Sequence, residues 1–284
     1  MTHPVRRLVL GGPFGAEPLE ASAERLAHFA SVGGRLVESA RSYRAGAAEA
    51  AIGAWMRENP GTLGVITKVG HDPEGRDIPL TRAAVRSGVR ASLACLGIDV
   101  IDTLILHCDD PDREVGEIAE TLVGLIDAGH TKRIGASNWP AHRLSELADT
   151  VAPHVLVASY HFSLAAPDPV ALRSLPADPG VLRVIAAKDL PILSWSAQAR
   201  GYFARGLTTG DDPFDTDLSR TRRGRCQKLA EELGCTPETV ALAWTLHHPG
   251  VSASIGPRTP EQLTRSLDAL SLSLTNEQVR WLQQ

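Results

Sequence analysis

Asp102-Thr103-Leu104-Ile105-Leu106-His107 is a short, mostly apolar run that ends on an imidazole. Two earlier stretches are built the same way. Leu63-Gly64-Val65-Ile66-Thr67-Lys68 ends on an ammonium, and Arg35-Leu36-Val37-Glu38 ends on a carboxylate and leads into the phenol of Tyr43. Apolar runs of this length read as strands buried on both faces. Four different functional groups therefore leave three consecutive strands at their C-terminal ends. In a parallel α/β barrel those ends meet on one face, and that face carries the chemistry.

Working outward, the same alternation runs along nearly the whole chain. Further strands are predicted near 6–10, 132–135, 155–159, 191–195 and 251–255, with helical segments between them. Ala84, Val85, Val89, Leu93 and Leu96 give residues 81–96 an apolar stripe at helical spacing. Ile118, Leu122, Leu125 and Ile126 do the same for 116–128, where Gly129 marks a stop. Thr236-Pro237-Glu238 and Thr259-Pro260-Glu261 carry start signals for helices over 237–247 and 260–270. Eight strands interleaved with helices in 284 residues predict a (β/α)8 TIM barrel, a single domain over 1–284. An open doubly wound sheet is the competitor. Gly11-Gly12-Pro13-Phe14-Gly15 follows the first strand but lacks the dinucleotide spacing such a sheet would carry. Residues 203–220, dominated by Gly, Asp, Pro and Thr, read as a mobile loop beyond the seventh strand. Arg220, Arg222, Arg223 and Arg225 read as the start of a solvated helix.

With 43% hydrophobic and 22% charged residues the chain can bury a large core. Its net charge of −4 and the absence of a basic stripe argue against nucleic acid or an anionic membrane as a partner. No run approaches the roughly 18 apolar residues of a membrane span, and the N-terminus has no apolar signal core. Cys95, Cys108, Cys226 and Cys235 have no metal-type or redox-type spacing, so thiols kept reduced in the cytoplasm are the simplest account. Cys108 stands apart because it adjoins His107.

Several motifs follow one another in order: Glu38-Ser39-Ala40-Arg41-Ser42-Tyr43; Gly46, Glu49 and Gly53; Ile66-Thr67-Lys68; Leu106-His107; Gly135-Ala136-Ser137-Asn138; Ser194-Trp195-Ser196; and the stretch from Ile255-Gly256-Pro257-Arg258 to Leu263. Together they cover most of the chain, which resembles the aldo-keto reductase superfamily. The resemblance implies an NADPH-dependent oxidoreductase that reduces an aldehyde or ketone to an alcohol, without a metal. It implies Tyr43 as general acid, with Lys68 drawing the phenol pKa down and Glu38 holding Lys68. His107 would orient and polarise the substrate oxygen. Ser137, Asn138 and Ser159 would meet the nicotinamide carboxamide, and Trp195 would stack on its ring. Ser196 and Gln198 would line the pyrophosphate, and Gly256, Arg258, Gln262 and Ser266 the adenosine end. A forked guanidinium beside a helix start favours NADPH over NADH. The short N-terminal extension suggests that the hairpin often plugging the barrel bottom is missing or reduced.

Departures from the family pattern matter. Glu38 stands where the family has Asp, and the extra methylene moves the carboxylate by about 1.5 Å. Pairing with Lys68 is expected to survive. Ser159 replaces a Gln, Ser266 an Asn-like residue, and Ala48 a Ser. These changes keep open a cofactor-binding protein of feeble activity. A barrel enzyme of another class, such as a phosphosugar isomerase or lyase, is the further alternative. Phe14, His71, Asp109, Trp139, Tyr160, His161 and Phe203 lie in or near the loops after the strands and are candidates for the substrate walls.

Overall fold

The computed structural model describes residues 4–72, 74–172, 174, 177–205 and 212–284. Strands β1 (Leu8–Leu10), β2 (Leu36–Glu38), β3 (Gly64–Val69), β4 (Thr103–Leu106), β5 (Ile134–Ser137), β6 (Leu156–His161), β7 (Ile192–Trp195) and β8 (Val251–Ile255) close into a barrel in sequence order. Each pairs in parallel with the next, and β8 returns to β1. The helices are α1 (Leu19–Ser31), α2 (Ala47–Glu58), α3 (Arg82–Leu96), α4 (Val115–Asp127), α5 (Ala141–Thr150), α6 (Pro169–Leu172), α7 (Pro179–Ala187), α8 (Asp217–Leu233), α9 (Pro237–His247), α10 (Pro260–Ser271) and α11 (Asn276–Gln283). The threonine signals at Thr236 and Thr259 act as expected, each accepting a backbone N–H from the first turn of the helix it precedes, and Thr81 does the same for α3.

Core packing explains where the chemistry sits. Val9, Ile66, Ile105, Val157 and Leu193, with Leu36 against them, form a small cluster contributed by six strands. Larger apolar clusters include the helices that surround the strands. Strand side chains alternate between faces with period two. Two residues beyond each member of the small cluster come Gly11, Lys68, His107, Ser159, Trp195 and Glu38. The parity that packs the barrel interior thus presents these groups as its next layer, toward the C-terminal ends.

Two expectations are corrected. The stretch 203–220 is not loop throughout: α8 begins at Asp217, and Thr216 caps it by accepting from the Ser219 N–H. Residues 206–211 of that stretch lie outside the described residues. The arginines of α8 are not all solvated either. Arg223 is buried with its guanidinium 5.4 Å from the Tyr202 ring centre, and Arg222 donates to the Leu164 carbonyl at 2.9 Å. They pack the helix onto its neighbours because long side chains cover apolar surface with their stems. Among the described residues no helix is long and apolar enough to cross a membrane.

Candidate active site

Tyr43 opens a short 3₁₀ turn, Tyr43–Gly46, just past β2. A buried brace ties this turn to the barrel. Glu49, fully buried at the start of α2, accepts from the Thr67 hydroxyl at 2.7 Å and from Arg41 at 3.3 Å. Lys68 is 2% exposed. Its ammonium donates to Glu38 Oε1, to the Ser39 carbonyl at 3.3 Å and to the Tyr43 hydroxyl oxygen at 3.2 Å. The pairing expected of Glu38 is present despite the longer side chain. Its second oxygen accepts from Ser254 Oγ at 3.0 Å, across the barrel mouth from β8.

Gly11 makes that reach feasible. A Cβ at this position would lie 2.8 Å from Ser254 Oγ and 3.3 Å from Glu38 Oε2. We expect Gly11→Ala to part Ser254 from Glu38 and to cost about 1–3 kcal/mol through overpacking, read by urea denaturation. An unchanged midpoint would mean that the cluster yields freely.

Electrostatics follow from burial. Although 38% of Tyr43 is exposed, its hydroxyl end lies against Lys68, and desolvation pushes the phenol up to about 12. The expectation that Lys68 draws the Tyr43 pKa down is therefore corrected. Loss of water around the hydroxyl prevails. Burial pushes Lys68 in the opposite direction, to about 7. His107 is held well below its ordinary value by burial first and then by Lys68 and His71, so its ring is neutral near pH 7. That ring stands edge-on to Tyr43 with centroids 5.6 Å apart and stacks on His71 at 4.1 Å. Its Nδ1 is buried without a hydrogen-bond partner among the described residues.

These groups line one end of a cleft of about 800 Å³. Ser137, Asn138, Trp195, Ser196, Gln198, Gly256, Arg258 and Gln262 also line it. Asn138 adopts a left-handed backbone (φ 62°), donates to Ser137 Oγ at 3.0 Å and accepts from the Ser174 hydroxyl at 3.0 Å. The indole N–H of Trp195 is buried and has no partner among the described residues. Beyond Gln198 the cleft reaches the start of α10, where Gln262 Oε1 accepts from the Arg258 backbone N–H at 2.7 Å.

Two of the expected cofactor residues do not reach the cleft. Ser159 is fully buried, and its hydroxyl has no partner among the described residues. Ser266, 1% exposed, sits behind Gln198, whose amide donates to its Oγ at 3.3 Å. A serine is too short to span the distance that a longer amide covers. None of the aromatic and loop residues expected to form substrate walls lines the cleft. Phe14, Trp139, Tyr160, His161 and Phe203 are buried in packing, and Asp109 is paired with Arg143 at 2.7 Å. Leu172, Ser174, Gly201 and Ala204, together with Arg200, Arg205 and Arg265, line the cleft instead. Arg205 pairs with Asp212 at 2.9 Å, and Arg265 with Glu238 at 2.9 Å. In the sequence their signal is the recurrence of Arg on both sides of Gly201.

Comparison with known proteins agrees with this arrangement. The model of the Aldo/keto reductase family matches residues 8–284. The chain belongs to the aldo/keto reductase family, a family of oxidoreductases. It is 25% identical over 253 residues to a 6-dehydroglucose reductase of Agrobacterium fabrum, covering 85% of this chain and 79% of that one. It is 26% identical over 295 residues to an aryl-alcohol dehydrogenase of Pestalotiopsis microspora, covering 95% and 73%. Among solved structures, the thermostable aldo-keto reductase Tm1743 in complex with epalrestat superposes with a TM-score of 0.78 at 20% identity, over 98% of this chain and 94% of that one. An aldo-keto reductase from Klebsiella pneumoniae in complex with NADPH gives a TM-score of 0.75 at 22% identity, over 97% and 89%. At these identities the solved structures support the fold.

Proposed function

We propose that the chain is an NADPH-dependent reductase that converts a small aldehyde or ketone to an alcohol, with Tyr43 as general acid. The observation that carries this reading is the contact of the Tyr43 hydroxyl with Lys68, itself held by Glu38, beside a neutral His107. The cleft suits a nicotinamide dinucleotide. Trp195 lies near the chemical end, and Arg200, Arg205, Arg258 and Arg265 line the cleft as it extends to a helix N-terminus. Ser137 and Asn138 would hold the carboxamide, and Arg258 the monophosphate.

When bound, the dinucleotide supplies the hydride. Tyr43 holds the proton for the developing alkoxide on its hydroxyl. Lys68 donates toward the same oxygen and steadies the phenolate left when that proton moves. Neutral His107 offers a ring N–H to the carbonyl oxygen and so polarises it. Glu38 and Ser254 keep the ammonium in place.

Arg258→Ala is expected to raise the Michaelis constant for NADPH far more than that for NADH, because the forked cation answers a monophosphate that NADH lacks. Equal effects on both would remove that assignment. The reading as a whole is tested by NADPH consumption with a panel of reactive aldehydes. Tight NADPH binding without turnover would leave a binding protein instead.

A further inference from the structure

The loop that follows β3 brings together three side chains that the reductase chemistry does not use. His71 bridges to Asp77 as an isolated antiparallel pair, and its Nε2 lies 2.9 Å from Asp77 Oδ1. Asp72 braces the hairpin between them, accepting from the backbone N–H groups of Glu74 at 3.0 Å and Arg76 at 2.9 Å. Cys108 arrives from the end of β4, and its thiol donates to the Gly70 carbonyl at 3.4 Å. One nitrogen, one oxygen and one sulfur from these residues all lie within 4.8 Å of one another.

We infer that His71, Asp77 and Cys108 form a binding site for a single zinc ion at the rim of the barrel, beside His107. This goes beyond the reductase reading and does not depend on it. A mixed nitrogen, oxygen and sulfur donor set is the chemistry zinc takes, in preference to magnesium or calcium. Tetrahedral zinc with ordinary bond lengths holds such donors about 3.3–3.7 Å apart. Side-chain rotation of about 1 Å therefore closes the set around an ion. The Asp77 side chain is 73% exposed, which leaves the fourth position to water.

Coordination displaces the thiol proton. The balance is explicit. The thiol S–H breaks and its proton goes to solvent, while the sulfur, a ring nitrogen of His71 and an Asp77 oxygen each share a lone pair with zinc. His71 keeps one ring proton, on whichever nitrogen does not hold the ion, and its bond to Asp77 opens. Nothing is oxidised or reduced. Because His71 stacks on His107 at 4.1 Å, the bound charge would face the ring that meets the carbonyl.

The test is zinc chloride titration of the untagged chain by calorimetry, in two buffers of different ionisation heat. One ion is expected to bind per chain, with release of about one proton. Cys108→Ser and Asp77→Asn should each weaken binding by about tenfold or more, and Cys108→Ser should abolish proton release. Cys235→Ser, remote from the cluster, should change neither quantity. Cobalt in place of zinc should give a thiolate-to-metal absorption band that Cys108→Ser removes. If no ion binds stoichiometrically, or if binding and proton release survive Cys108→Ser unaltered, the site does not exist. Circular dichroism on each variant separates loss of binding from loss of fold.

Discussion

Tyr43→Phe is expected to lower kcat for carbonyl reduction by about 10²–10⁴-fold, with NADPH affinity, read by quenching of tryptophan fluorescence, little changed. The phenylalanine ring keeps the packing against His107, so what is lost is the proton. The pH dependence carries the sharper test. With the phenol pushed up to about 12, Tyr43 is protonated throughout the neutral range and ready to act as an acid. The reverse reaction needs the phenolate, whose fraction grows tenfold for each pH unit below that value. Alcohol oxidation should therefore climb steadily through the alkaline range, whereas reduction should not. In Tyr43→Phe the climb should vanish. A variant that retains most of the wild-type reduction rate would remove Tyr43 from the mechanism.

Glu38→Leu should cost about 3–5 kcal/mol of folding stability at pH 6, the usual penalty for stripping one partner from a buried ion pair. Lys68 is 2% exposed and would be left with no carboxylate to answer it. The pH sign follows from the direction of the Lys68 shift. Burial holds its pKa at about 7, below the ordinary 10.5. Between those values the unfolded chain binds a proton that the folded chain does not, so this group's contribution to stability rises with pH across that window. Below about 7 the wild-type lysine is charged and paired, whereas the variant must either bury a lone charge or give up the proton. The difference between the two proteins should widen as pH falls through 7 and narrow by pH 9, as measured by urea denaturation at each pH. A constant difference would mean that Glu38 acts by packing alone.

How far the sequence could be read depends on how local each cause is. The strands were legible because short apolar runs recur between helical stripes. The start of α9 at Pro237 was legible because a threonine and a proline announce it. The start of α8 at Asp217 was not, since Gly, Asp, Pro and Thr conceal a helix whose cap is Thr216. Glu38, Tyr43, Lys68 and His107 were found by position and resemblance, and the structure brings them together. Their electrostatics were not legible. That the phenol loses water depends on contacts between strands. The second partner of Glu38, Ser254, lies 216 positions away and carries no motif. Ser159 and Ser266 were assigned by position alone, and only depth in the barrel reveals that they fall short of the cleft. Cys108 stands out in the sequence through His107 beside it, whereas its neighbours in space also include a histidine and an aspartate from a different loop.

The two-residue beat of the barrel interior also bears on how this scaffold can diversify. Lys68 and Trp195 are held by strand register and His107 follows directly on β4, whereas Leu172 and the stretch from Arg200 to Arg205 lie on connections outside the ladder. Insertions and deletions in those connections can remodel what the chain accepts without touching the reacting groups. A single residue gained within β3 would turn Lys68 outward toward the helices. New selectivities should thus arise by shuffling connection lengths, while the strands tolerate exchanges of side chain but not changes of count.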